Sequence, residues 1–166
     1  LQILYSFFRS GEGEVFKARL GHRRVTLTHS CRTAIALIRR ILPLSNGDRV
    51  LMSAYHCGSE VDALYASGLD IDYVDCDRKG FISLEALKAA QTEKSRLVYI
   101  IHPFGWPQPL AEIREWCRQE DLFLIEDCAL ALLSVDTQGN PVGSQSDIAV
   151  YSLPKCLPVP DGGAIS

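Results

Sequence analysis

The sequence lacks the short motifs that identify several large enzyme classes. It has no G-x-G-x-x-G dinucleotide motif, no G-x-x-x-x-G-K-[ST] phosphate loop, no H-E-x-x-H zinc motif and no serine-centred nucleophile elbow. These absences argue against the common nucleotide-binding, metalloprotease and hydrolase functions, and we predict no metal site.

The sequence also lacks an excess of positive charge, a C-x-x-C pair and a long apolar run. The net charge of −3 argues against a nucleic-acid partner. No signal peptide is visible, and the apolar stretch 1–8 is too short to span a membrane. The cysteines are dispersed, so we expect reduced thiols in a cytoplasmic protein rather than a disulfide framework. They are Cys31, Cys57, Cys76, Cys117, Cys128 and Cys156.

Short apolar runs alternate along the chain with segments of helical periodicity. The 166 residues suit one domain with a sizeable core, and 47% hydrophobic with 22% charged residues is ordinary for a globular protein. The pattern predicts strands over 48–52, 71–75, 96–101, 122–127 and 148–151, and helices over 33–42, 59–66, 83–91 and 109–118. Alternating strands and helices predict an α/β fold with three α/β/α layers and a largely parallel sheet.

Two stretches carry the residues best suited to chemistry. Asp127 ends an apolar run that reads as a buried parallel strand, and ligands of such sheets bind beyond the carboxyl ends of the strands. Lys155 follows a later strand and lies among prolines. A carboxylate could hold a protonated ring nitrogen, and a lysine could form a Schiff base with an aldehyde. Taken singly, a strand-end carboxylate that caps a helix and a surface lysine remain ordinary alternatives.

Five sequence blocks, in order, resemble one family. Glu126-Asp127-Cys128-Ala129 resembles the E-D-x-A signature of the DegT/DnrJ/EryC1/StrS family, which comprises pyridoxal-phosphate (PLP) dependent sugar aminotransferases of fold type I. The other similar blocks are His29-Ser-Cys-Arg-Thr-Ala34, Tyr55-His-Cys57, His102-Pro-Phe-Gly105, and Ser152-Leu-Pro-Lys155 followed by Asp161-Gly-Gly163. The resemblance covers residues 25–166.

This resemblance implies a cofactor and a set of site residues. Asp127 would hold the ring nitrogen of PLP, and Lys155 would carry the cofactor as a Schiff base. Backbone amides around Cys31 and Arg32 and the hydroxyl of Ser152 would bind the phosphate. His56 or Tyr55 would cover the face of the ring. The whole enzyme would move an amino group from an amino acid to a keto sugar, linked to a nucleotide, and would work as a homodimer.

The sequence departs from the family pattern at three places. Cys31 replaces a glycine at the phosphate site, and Leu130 replaces a polar residue near the ring. The spacing from Ser152 to Lys155 is short and resembles a divergent branch with S-L-x-K-x-L-P-V-P-x-G-G. Two alternatives therefore stay open: a PLP lyase on the same scaffold, and a non-catalytic α/β binding module. His102 is placed at the pocket edge, and Glu126, on the opposite face of its strand, is given no role.

The resemblance also predicts how the chain is divided. Residues 1–24 would form an N-terminal segment leading into the domain, and residues 25–166 would form part of the PLP-binding large domain. The chain does not begin with Met and stops soon after Lys155. We therefore expect a fragment that lacks the family's smaller second domain and does not catalyse transamination by itself.

Overall fold

The structure is a computed structural model that describes residues 24–166. The predicted N-terminal segment, residues 1–24, therefore lies outside the described residues except for Arg24. Within residues 24–166, seven strands form one sheet: β1 (Thr26–Thr28), β2 (Arg49–Ser53), β3 (Asp70–Val74), β4 (Ser95–Ile101), β5 (Phe123–Asp127), β6 (Ile148–Ser152) and β7 (Gly163–Ile165). In the same range, four α-helices connect the strands: α1 (Cys31–Ile41), α2 (Ser59–Ala66), α3 (Leu84–Ala90) and α4 (Ala111–Gln119).

The sheet is largely parallel, as the alternation of strands and helices predicts. Its strand order is β1-β7-β6-β5-β4-β2-β3. The pairs β2–β3, β2–β4, β4–β5 and β5–β6 are parallel, whereas β7 runs antiparallel to both β1 and β6. Five neighbouring strands, β6, β5, β4, β2 and β3, therefore end at the same edge of the sheet.

Helices cover both faces, which confirms the three-layer fold. On one face α1 and α2 bury Ile35, Ile38 and Leu64 against residues of β2, β4, β5 and β6. On the other face α3 and α4 bury Leu87 and Trp116 against alternate residues of the same central strands. Strands covered on both sides must be apolar on both faces, which is why their sequences read as continuous hydrophobic runs.

The helix boundaries follow local capping chemistry. The Ser30 side chain accepts a hydrogen bond from the Thr33 amide, and the Ser83 side chain accepts one from the Ala86 amide, so both serines cap the helices that follow. Helix α4 begins at Ala111, two residues later than predicted, and its N-cap residue, Leu110, makes no side-chain hydrogen bond to the helix. None of the helices within residues 24–166 is long and apolar enough to cross a membrane.

Candidate active site

A cavity of about 530 Å³ opens at the carboxyl edge of the parallel strands. Its volume lies in the range typical of small-molecule and cofactor sites. The structure brings all six sequence-predicted site residues together in its wall. They are Cys31, Arg32, His56, Asp127, Ser152 and Lys155.

Asp127 is the buried acid of the cavity. It ends β5, and its side chain is on the same face as Ile125, toward α1. The Tyr99 hydroxyl donates to Oδ2 at 2.7 Å, and the Ala129 amide donates to Oδ1 at 2.9 Å. Burial raises the pKa of Asp127 above its ordinary value, and these two hydrogen bonds offset only part of that effect. A cation bound in the cavity would favour the charged form.

Lys155 lies in a short 3-10 turn directly after β6. The turn spans Leu153–Lys155, with Pro154 near its start, and the Leu157 amide donates to the Leu153 carbonyl at 2.8 Å. Ser152, the last residue of β6, lines the same cavity. The charge of Lys155 acts to lower the pKa of Asp127, although less than burial raises it. The lysine and the acid are therefore close enough to interact electrostatically.

The N-terminus of α1 forms a third side of the cavity. The first amides of a helix have no acceptor within the helix and favour an anion. The Thr33 and Ala34 amides donate to Ser30. The amides of Cys31 and Arg32 have no such acceptor among the described residues, so they can bind a ligand. Burial and the charge of Asp127 raise the pKa of the Cys31 thiol, so it stays protonated.

A glycine brings the lysine segment against this helix. A Cβ on Gly163 would collide with the backbone carbonyl carbon of Ser30 and would lie 2.5 Å from the Cys31 amide nitrogen. The Gly162 amide donates to the His29 carbonyl at 3.0 Å. Only glycine lets β7 approach α1 so closely, which explains why Gly163 ends the Asp-Gly-Gly block after Lys155.

The loop after β2 lines the opposite wall. The His56 ring stacks on Tyr73 with centroids 5.4 Å apart, and its buried Nδ1 has no hydrogen-bond partner among the described residues. Tyr55 is 53% exposed and faces Phe104. Both His56 and Tyr55 line the cavity, so the assignment of either to the cofactor ring stays a prediction.

Sequence analysis missed two side chains that shape the site. Tyr99 bonds to Asp127, yet it appears in the sequence only as one more apolar residue of a buried strand. Glu60, only 4% exposed, accepts hydrogen bonds from the Cys57 amide at 3.0 Å and the Cys57 thiol at 2.8 Å. Burial acts to raise the pKa of Glu60, but the hydrogen bonds from Cys57, from the Glu60 amide and from Ser59 outweigh it, so the pKa is lowered.

His102 lines the cavity, and it forms a buried pair with Glu126, with His102 Nε2 3.1 Å from Glu126 Oε2. The possible metal-ligand atoms of His102, Glu126 and Cys128 all lie within 4.8 Å of one another, an arrangement that resembles a metal site. The Gln108 amide donates to His102 Nδ1, so a metal on Nε2 would leave the ring without a proton. Glu126 also accepts two backbone amides. The nitrogen atoms of His102 and the oxygen atoms of Glu126 are therefore already hydrogen-bonded within the protein, so this group of residues does not fit a metal.

The cavity does fit a cofactor with a phosphate, a basic ring nitrogen and an aldehyde. The helix N-terminus suits the phosphate, the buried carboxylate of Asp127 suits a protonated ring nitrogen, and Lys155 supplies an amine. The unpaired Nδ1 of His56 offers one further polar contact. The fold and this cavity define a protein of the PLP fold type I class.

The comparison with known families is more specific. The DegT/DnrJ/EryC1/StrS aminotransferase family model matches residues 12–166, so the chain belongs to this family. Its members use PLP, which confirms the predicted cofactor.

Relatives and solved structures agree with this assignment. The chain is 29% identical over 157 residues to the dTDP-4-dehydro-2,3,6-trideoxy-D-glucose 4-aminotransferase of Saccharopolyspora spinosa, covering 89% of this chain and 40% of the relative. NtdA of Bacillus subtilis, solved with bound PMP, is 27% identical with a TM-score of 0.77, covering 92% of this chain and 36% of its own. The aminotransferase TlmJ of Streptoalloteichus hindustanus shares the fold, with 24% identity, a TM-score of 0.82, and coverage of 91% and 42%. The chain thus spans about two fifths of the length of these proteins.

Proposed function

We propose that this chain carries the cofactor-binding site of an aminotransferase that moves an amino group from an amino acid to a keto sugar linked to a nucleotide. One observation carries the proposal: Asp127, Lys155 and the N-terminus of α1 meet in a single cavity at the carboxyl edge of the sheet. These are the three contacts that the ring nitrogen, the aldehyde and the phosphate of PLP require.

The phosphate would bind at the start of α1. The amides of Cys31 and Arg32 point out of the helix, and the Arg32 side chain and the Ser152 hydroxyl line the same cavity. Oriented amides, a positive charge and a hydroxyl together form an ordinary phosphate site. Cys31 does not prevent this role, because its amide, not its side chain, makes the proposed contact.

Asp127 would hold the ring nitrogen in its protonated form. PLP, when bound, supplies a ring that takes up the electrons released as the amine substrate loses a proton. A carboxylate with two fixed hydrogen-bond donors is already oriented for this contact and has little freedom to turn away. The positive ring nitrogen would in turn lower the pKa of Asp127 that burial raises.

Lys155 would form the Schiff base with the cofactor aldehyde and, once freed by the amine substrate, would carry a proton. A lysine can do both because its amine is a nucleophile when uncharged and an acid when protonated. The 3-10 turn fixes its backbone, while its exposed side chain keeps the freedom to move between the two tasks.

The sugar substrate is proposed from relatives and from the room in the cavity. The S. spinosa relative is named for a dTDP-linked keto sugar. Beside the Asp127 end of the cavity, Phe104 and Leu130 form an apolar wall that a deoxygenated sugar carbon could contact. An apolar wall discriminates weakly among such sugars, so we propose the class of acceptor only.

We further propose that the whole protein is a cytoplasmic homodimer. The described residues contain six free cysteines, which fits a reducing compartment. Phe104 and Trp106 are 73% and 70% exposed near the cavity mouth, and exposed aromatic side chains are enriched at protein interfaces. Sedimentation of the protein would test the dimer, and changing both residues to serine should shift it toward monomer.

The test of function is the attachment of PLP. The protein is mixed with PLP, its visible spectrum is recorded, and the sample is reduced with borohydride and mapped by peptide. A reduced adduct on Lys155 is expected. Lys155→Ala should abolish it, whereas Lys88→Ala, the same change on the exposed surface of α3, should not. No adduct in the unaltered protein would favour the non-catalytic module.

The lyase alternative is distinguished by the amine donor. If the full-length protein transaminates, adding glutamate to it should convert bound PLP to its amine form, seen as loss of the visible band with release of 2-oxoglutarate. A PLP adduct on Lys155 without this conversion would contradict the aminotransferase proposal while leaving the cofactor site intact.

A further inference from the structure

A saturated polar network lies directly behind the strand that carries Asp127. Glu126 is 1% exposed, and its Oε2 accepts from the Gly143 amide at 2.9 Å and lies 3.1 Å from His102 Nε2. Its Oε1 accepts from the Gln145 amide at 3.0 Å. We call these four residues, His102, Glu126, Gly143 and Gln145, the Glu126 clamp.

The tautomer of His102 follows from its other contact. The Gln108 amide donates to His102 Nδ1 at 3.1 Å, and a backbone amide can only donate. Nδ1 therefore carries no proton, and Nε2–H points at Glu126. The Gln108 side chain in turn accepts from the Ile82 amide and donates to the Ile101 carbonyl, so the ring is held on both sides.

Glu126 is held as a carboxylate. Burial acts to raise its pKa, but the hydrogen bonds from His102, the backbone amides and Ser146 outweigh burial and leave the pKa lowered. A buried anion held by several donors is costly to disturb, since removing one donor leaves negative charge uncompensated.

The Glu126 clamp joins the two segments that carry the proposed chemistry. Glu126 is adjacent to Asp127 on β5, and the His102 amide donates to the Asp127 carbonyl at 3.3 Å. Gly143 and Gln145 belong to the loop that leads into β6, which ends at Ser152 and is followed by Lys155. At Gly143 the backbone φ is 94°, and a side chain would collide with the Tyr151 hydroxyl. The loop can therefore place the Gly143 amide against Glu126 because this residue is glycine.

We propose that Glu126, oriented by His102, is a positioning residue that sets how Asp127 and Lys155 face each other across the cavity. This inference rests on the proposed function, because it concerns the same site. Glu126 need not touch the cofactor, because it acts from the opposite face of the sheet through the backbone of β5 and of the loop before β6.

Two substitutions of His102 separate the contact with Glu126 from general structure. His102→Gln keeps an N–H near the position of Nε2 and loses the acceptor for Gln108. His102→Asn keeps an acceptor near the position of Nδ1 and loses the donor to Glu126. Both variants remove the same ring, so a purely structural role would make them similar. A third variant, Glu126→Gln, keeps the shape but places an amide N–H against one of the backbone donors.

The measurement is the pH titration of the Lys155 Schiff base by its visible absorbance. If Asp127 is displaced, it holds the ring nitrogen proton less well, and the Schiff base nitrogen keeps its proton to higher pH. We expect the midpoint to rise by about one pH unit, a tenfold change, in His102→Asn and Glu126→Gln. In His102→Gln it should stay within about 0.3 units. Unfolding temperature is measured in parallel.

Any other outcome contradicts either the positioning role of Glu126 or the proposed function. Equal shifts in the two His102 variants, or lower unfolding temperatures without any shift, would show that the clamp only stabilises the fold. A native protein that forms no Schiff base would count against the proposed function instead. In that case the titration of the Asp127 carboxyl in the cofactor-free protein, followed by carbon-13 NMR, tests the clamp: His102→Asn must move it and His102→Gln must not.

Discussion

Removing the hydroxyl of Tyr99 is the most direct test of the state of Asp127. Tyr99 is completely buried, and its hydroxyl donates to Asp127 at 2.7 Å. Tyr99→Phe deletes this donor and leaves the ring in place, so little packing is lost. Burial raises the pKa of Asp127 in the cofactor-free cavity, which favours its neutral form. The ring nitrogen of PLP would favour the charged form.

The size of the effect follows from the difference between these two states. A hydrogen bond to a charged group contributes about 1.5–3 kcal/mol, and a neutral one about 0.5–1.5 kcal/mol. The bond from Tyr99 should therefore be stronger by about 1–1.5 kcal/mol when PLP is bound, which corresponds to roughly tenfold weaker PLP binding in Tyr99→Phe.

The assay is an absorbance titration of PLP at neutral pH, with Tyr65→Phe as the control. Tyr65 is a half-exposed tyrosine on α2, so the same atom is removed away from Asp127. The reasoning fails if Tyr99→Phe binds PLP within twofold of the unaltered protein, or if Tyr65→Phe weakens binding as much.

Two further predictions concern stability. Gly163→Ala should lower the free energy of unfolding by about 1–3 kcal/mol, because its Cβ would press on the backbone of Ser30 and Cys31; urea unfolding measures this, and an unchanged free energy would contradict the close approach of β7 to α1. Because the pKa of Asp127 is raised in the fold, its contribution to stability is present below about pH 4 and is lost as pH rises through the raised pKa. Asp127→Asn should therefore gain stability over the cofactor-free native chain as pH rises from about 4 to 7, and a constant difference across that range would contradict the pKa shift.

The central sheet could be predicted from the sequence because its strands are apolar on both faces. The run 122–127 predicts β5 to within one residue of Phe123–Asp127, and 96–101 predicts β4 equally well. Strand β1 is different, since it has only three residues, which are mostly exposed. Its place in the sheet comes from pairing with β7 at the other end of the described chain, and no local pattern can reveal that.

The cavity residues could be predicted because strand ends of a parallel sheet meet at one edge. Tyr99 and the Glu126 clamp could not, because their contacts depend on the register between strands. Ile101 of β4 pairs with Asp127 of β5, which brings the Tyr99 hydroxyl to that carboxylate. A shift of one residue would turn Tyr99 to the other face of the sheet. The sequence contains the residue types but not this register.

The position of β7 has a consequence for how the protein acquires its cofactor. Strand β7 lies between β1 and β6 and packs against the start of α1, so the phosphate side of the cavity depends on contacts between the first and last described strands. Contacts so distant in sequence form late, because closing a long loop costs conformational entropy before the contacts between its ends can offset that cost. We therefore expect the cavity to be among the last parts of the fold to form during synthesis. PLP would then bind only to molecules that have completed the sheet, and cofactor retention would report on successful folding.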